Sequence, residues 1–110
     1  MSILSKLARA HVVAFPETLS IVVTDRAGTV LAETGDVDSE TGGAVQAVTA
    51  IAMGKVGDLL GLGSLHRTSI AGPTKTWVLV INDDEILGVD VDPRKPLGAF
   101  ERRLEGILRS

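Results

Sequence analysis

The stretch TGGAVQAVTAIAMGKVGDLLG, residues 41–61, decides how the rest of the chain is read. No proline interrupts it, and it predicts the longest helix of a 110-residue protein. At about 100° per residue, Val45, Val48, Ala52, Val56 and Leu59 fall on one stripe, with Met53 and Leu60 beside it. Opposite lie Gly43, Ala47, Ala50, Gly54, Gly57 and Gly61, which have almost no side chain. After the capping Thr41, only Gln46, Thr49, Lys55 and Asp58 are polar within the helix body. A helix apolar on two sides has two partners. The expected arrangement sets the bulky stripe on the protein's own sheet. The small-residue stripe then meets its own copy across a two-fold axis, with Lys55 and Asp58 flanking the seam; the alternative is that Gly and Ala let the helix lie tightly on its own sheet. Each glycine costs a helix about 0.5–1 kcal/mol relative to alanine, so a close packing gain is expected in return.

Around this helix the chain alternates in short strands. Residues 18–25 (TLSIVVTD) place Leu19, Ile21 and Val23 on one side and Ser20, Val22 and Thr24 on the other. Asp25, Arg26, Ala27 and Gly28 form a turn, and residues 29–34 return as a second strand. A polar loop over residues 35–40 leads to Ser39 or Thr41 as the cap of the long helix. Gly61 and Gly63 end that helix. Residues 64–71 are a more polar strand, residues 75–82 (KTWVLVIN) an apolar one, and residues 86–91 the last. Pro96 suits the first turn of a final helix whose inner stripe is Leu97, Phe100, Leu104, Ile107 and Leu108; Glu101, Arg102, Arg103 and Glu105 are expected outward. A first helix is expected before Pro16, capped by Ser2, with His11 packed on its apolar side.

The order is αββαβββα in one domain spanning residues 1–110. The first, fourth and fifth strands are apolar on both faces and are expected at the centre; the second and third are expected at the edges. The fold class is α+β: a five-stranded antiparallel sheet of order 2-1-5-4-3 with helices on both faces.

Composition excludes several functions. A net charge of -3 with 11 scattered basic residues gives no phosphate-binding surface, so no nucleic-acid partner is expected. Without cysteine there is no disulfide, thiolate zinc site or cysteine nucleophile. No apolar run reaches the ~20 residues of a membrane span, and the expected location is the cytoplasm. Gly54-Lys55 lacks the remaining residues of a phosphate loop: Thr49 stands where a glycine is needed and Val56 follows the lysine. His66 on an edge strand is expected to be paired or exposed. Asp83, Asp84, Glu85, Asp90 and Asp92 are expected as a solvated turn and strand-end charges. Arg26, Arg67, Arg94, Arg102 and Arg103 are candidate partner contacts, though each taken singly is expected as a surface charge. No catalytic residue, metal site or cofactor is expected.

The hairpin SIVVTDRAGTVLAETG, the Ala/Gly-rich helix running into DLLGLGSLHRTSI, and the hairpin WVLVINDDEILGVDVD with its amphipathic helix together make the chain resemble the roadblock family. That family includes the dynein light chain roadblock and bacterial small-GTPase regulators. The resemblance implies a non-enzymatic homodimer joined through the long helix and the third strand into one continuous sheet. It transfers dimer contacts onto Ala47, Ala50, Gly54 and Gly57, next to Asp58, and onto His66, Arg67, Thr68, Ser69 and Ile70. It also implies a Ras-like small GTPase or another protein as partner, regulated or scaffolded without an arginine finger. The alternatives are a structural scaffold subunit and a profilin-like small-molecule sensor, the latter needing a pocket with convergent polar groups.

Overall fold

The computed structural model describes residues 15–35, 39–63, 66–82 and 84–109. The helix expected before Pro16, including Ser2 and His11, lies outside the described residues, as do Ser64, Leu65 and Asp83. The described elements are β1 (Thr18–Asp25), β2 (Val30–Gly35), α1 (Ser39–Leu59), β3 (Arg67–Ala71), β4 (Thr76–Ile81), β5 (Glu85–Val91) and α2 (Leu97–Arg109). The sheet order is β2-β1-β5-β4-β3, and every neighbouring pair is antiparallel. This is the order expected from burial alone: the apolar strands β1, β5 and β4 are central, and the polar strands β2 and β3 are edges.

Turn chemistry fixes the connections. Asp25 Oδ1 accepts from the backbone N–H of Ala27 and of Thr29, each at 2.9 Å. Gly28 then takes φ 92°, a conformation that a β-carbon disfavours. Asn82 Oδ1 likewise accepts from the N–H of Asp84 and Glu85. α1 ends where Leu62 N–H bonds the Gly57 carbonyl at 2.8 Å, with Gly61 at φ 71°.

The two faces of the sheet are covered in different ways. On one face, Phe100 and Leu104 of α2 press on Ile21, Val23, Val78, Leu87, Val89 and Val91. This is the thick core, and each such side chain contributes about 1.5–3 kcal/mol on burial. Phe15 meets Phe100 edge-on at 6.3 Å, and the Arg103 guanidinium lies 4.9 Å over the Phe15 ring while pairing with buried Glu17. Glu101 and Glu105, expected outward, instead accept from β3: Ser69 Oγ donates to Glu101 at 2.5 Å and Arg67 to Glu105 at 3.1 Å. Arg67 thus ties the edge strand to α2 rather than standing as a free surface charge. Arg26 donates to the Asn82 carbonyl at 2.9 Å, joining two turns.

On the other face α1 lies close to the sheet. Its contribution to the core there is Ala50, against Leu79, Ile81 and Ile86. At Gly43 the helix meets the β1–β2 turn backbone. A β-carbon at Gly43 would lie 2.6 Å from the Gly28 carbonyl oxygen. At Gly88 of β5, a β-carbon would lie 2.0 Å from Gln46 Oε1 and 3.0 Å from the Trp77 ring. Gln46 fills that notch, donating to Thr24 Oγ1 at 3.3 Å and to the Ile86 carbonyl at 3.4 Å.

Burial overturns the expectation of solvated acids. Glu85, Asp90 and Asp92 are all buried, because β5 is central and its ends are covered. Asp92 accepts from the Arg94 backbone N–H at 2.9 Å and from its guanidinium through two bonds of 3.0 Å. These bonds hold its carboxyl below the usual range. Asp90 has a poorer environment. Lys75 Nζ is 3.8 Å from its Oδ2. Oδ1 has no hydrogen-bond partner among the described residues, and neither has Ser20 Oγ on the adjacent strand. Burial therefore outweighs the attraction of Lys75 and raises the Asp90 carboxyl.

The glycines predict two opposite outcomes in urea unfolding. Gly43→Ala forces helix and turn backbones apart and costs about 1–3 kcal/mol. Gly54→Ala has no atom of the described residues outside its own helix backbone within 4 Å of its new methyl and gains about 0.5–1 kcal/mol. Equal effects at the two sites would contradict the close approach. For Asp90 the sign follows from linkage. A carboxyl raised in the folded state holds its proton more readily there, so its charge erodes stability as pH rises above the ordinary carboxylate range. Asp90→Asn should gain on the native chain between about pH 4 and about pH 7. A stability gap that stays flat or shrinks over that range would contradict the assignment.

Candidate protein-interaction surface

The two stripes of α1 exist as the sequence predicts, but their roles are exchanged. Ala50 is 7% exposed and Gln46 2%, and Gly43 and Gly57 are buried. On the opposite side Val45 is 54% exposed, Val48 67% and Leu59 86%, and Ala52 is also exposed. The small-residue stripe therefore lies on the protein's own sheet and the bulky stripe faces away from it. The reason lies beneath the helix. The sheet presents Trp77, Leu79, Ile81 and Ile86 upward, and the helix descends to backbone contact at Gly28. Valine-sized side chains have no room between those surfaces, whereas Gly and Ala do.

Each expected contact residue can now be placed. Ala50 and Gly57 are buried inside the chain. Ala47 is half-buried beside Gly28, and a β-carbon on that glycine would lie 3.3 Å from the Ala47 methyl. Gly54 is half-buried, and exposed Asp58 shares the same flank of the helix, the one turned toward the β1–β2 turn. His66 is exposed just before β3, and its carbonyl accepts the Ile81 N–H at 2.8 Å. Arg67, Ser69 and Ile70 of β3 are exposed, and Thr68 is half-buried. As the outer strand of the sheet, β3 offers unpaired backbone groups along one side. Sequence reasoning named Val45, Val48, Ala52, Val56 and Leu59 but turned them inward. Ile51, 63% exposed, escaped it altogether.

A groove of about 350 Å³ runs between the other flank of α1 and β3–β4. Trp77 and Leu79 line it from β4, Ile70 from β3, and Val45, Gln46 and Thr49 from the helix. Its end nearest the first turn of α1 is bordered by Thr41, Gly42 and Lys75. The groove joins residues far apart in sequence, and no spacing signal in the chain marks it. Among the described residues, no group of three or more His, Asp or Glu side chains is placed to hold a metal ion. None of the described helices is long and apolar enough to cross a membrane.

No family model matches the sequence, and no curated protein matches it. Solved structures do match the fold. A Roadblock/LC7 domain from Streptomyces avermitilis superposes with a TM-score of 0.79 at 12% identity, covering 99% of this chain and 93% of that one. The gliding protein MglB from Thermus thermophilus gives 0.76 at 20% identity, covering 94% and 86%. MglB from Myxococcus xanthus gives 0.74 at 19%, covering 94% and 82%. These superpositions cover nearly all of the chain, which has the fold of a Roadblock/LC7 domain.

Proposed function

We propose that this chain is a non-enzymatic homodimeric platform that regulates or scaffolds a Ras-like small GTPase. The observation that carries the reading is the apolar outer side of α1 beside the open edge of β3. Val45, Val48, Val56 and Leu59 are exposed there together with Ile70. A row of large apolar side chains flanking an unpaired strand marks a surface that another protein covers. Pairing β3 with its own copy extends the sheet, and the outer sides of the two α1 helices meet over it. The seam consists of residues 66–70 and the bulky stripe. Ala47, Ala50, Gly54, Gly57 and Asp58 support it from behind or lie on the far flank.

The partner class rests on two supports. The sequence resembles the roadblock regulators of small GTPases, and the superposing structures include the gliding protein MglB. One MglB structure is described as having a tetrameric arrangement, an oligomer of that protein. For this chain the platform works by presenting a shaped surface to the GTPase's own active site.

Light scattering on the eluting protein tests the dimer. The native chain should run at twice the monomer mass, and Val48→Arg and Leu59→Arg should weaken association at least about tenfold, or ~1.4 kcal/mol. Gly54→Leu, away from the seam, should leave the dimer in place. A monomeric native chain sinks the dimer. GTP hydrolysis by a small GTPase of the same cell, with and without the protein, tests the regulatory half. A higher rate or binding selective for the GTP state supports regulation. Binding indifferent to nucleotide state assigns the scaffold role instead.

A further inference from the structure

We propose that the groove between α1 and β3–β4 binds a small amphipathic carboxylate, with its apolar body on Trp77 and Leu79 and its anionic end at Lys75. The volume, about 350 Å³, lies at the small end of the range for ligand pockets, about 300–1,000 Å³. The lining sets the rest of the chemistry. Trp77 and Leu79 supply an apolar floor, and Val45 and Ile70 rise beside it. Gln46 donates both amide hydrogens within the chain, to Thr24 and to the Ile86 carbonyl, while its Oε1, buried against Gly88, has no hydrogen-bond partner among the described residues. The apolar lining makes the body of the ligand hydrocarbon or aromatic.

The sign of the charge follows from Lys75, which is the one charged side chain among the described lining residues. Its side chain is 62% exposed, and its Nζ stands 3.8 Å from Asp90 Oδ2, beyond hydrogen-bond distance. An ammonium carries three donors, so it can take a ligand carboxylate without leaving Asp90. The same end of the groove is bordered by Thr41 and Gly42 in the first turn of α1, where the helix dipole is positive. Both features favour an anion there. Val45 and Ile70 also belong to the seam of the proposed dimer, so the inference rests on a groove that stays open at Lys75, Trp77 and Leu79 when two copies pair.

Trp77 is the only tryptophan in the chain and lines the groove, so its emission reports occupancy directly. The intact protein is titrated with octanoate, octanol and octylammonium, all below their micelle-forming range. Octanoate should shift the emission saturably and bind at least about tenfold tighter than octylammonium. Lys75→Gln should weaken octanoate by about fivefold or more and leave octanol within about twofold; Lys75→Arg should restore octanoate binding. No saturation with octanoate, an equal response to octylammonium, or no effect of Lys75→Gln overturns the proposal. So does an emission shift that follows protein concentration but not octanoate, since a second copy would then fill the groove. Light scattering on the same samples reads the dimer separately.

Discussion

The close approach of α1 to the sheet governs the rest of the fold. At Gly43 and Gly28 two backbones come together where a single β-carbon would intrude to 2.6 Å. At Gly88 the strand gives up its side chain so that Gln46 can sit over it. Everything on the inner side of the helix must then be small or shaped to a notch. The outer side is left with residues that no part of the described chain covers. Glycine in a helix is a cost of about 0.5–1 kcal/mol per residue, and here it is offset by a tight interface with a bulky sheet. One constraint thus gives both a thin core under α1 and an apolar surface above it.

Much of the architecture was legible before any coordinates. Period-two apolarity on both faces of β1, β4 and β5 put them at the centre, and Ser and Thr content put β3 at an edge. The Asp25–Gly28 turn and the Gly61 cap follow local rules that tertiary contacts did not override. The two stripes of α1 were legible too, but not which of them faces inward. Periodicity reports that two faces differ. It does not report the height of the surface underneath, and Trp77, Leu79 and Ile86 set that height from distant parts of the chain. The buried acids were misplaced for a similar reason. Asp90 is polar in sequence, yet its strand is central, and a central strand buries both of its faces. The groove had no local signature, since Lys75, Trp77, Ile70 and Val45 come from separate elements.

The two faces of the sheet divide the work. The α2 face holds most of the apolar burial and anchors β3 through Arg67–Glu105 and Ser69–Glu101. Exposed pairs of this kind contribute about 0–1 kcal/mol to stability, so their effect is to position an edge strand. The α1 face carries the unsatisfied features: an exposed apolar helix, a groove, and a buried carboxylate with only a loose cation beside it. Apolar burial is concentrated on the α2 face and uncovered apolar surface on the α1 face.

The chain has no cysteine, which makes single-cysteine reactivity the most direct test of how α1 is turned. Maleimide labelling of Ala50→Cys and Ala52→Cys, two positions on opposite sides of the helix, separates the alternatives. The account predicts that Cys at position 50 is protected in the native state at every concentration. Cys at position 52 should react fast in dilute protein and become protected as the concentration rises and copies associate. Fast labelling at position 50 with constant protection at position 52 would contradict it, because the bulky stripe would then lie on the sheet.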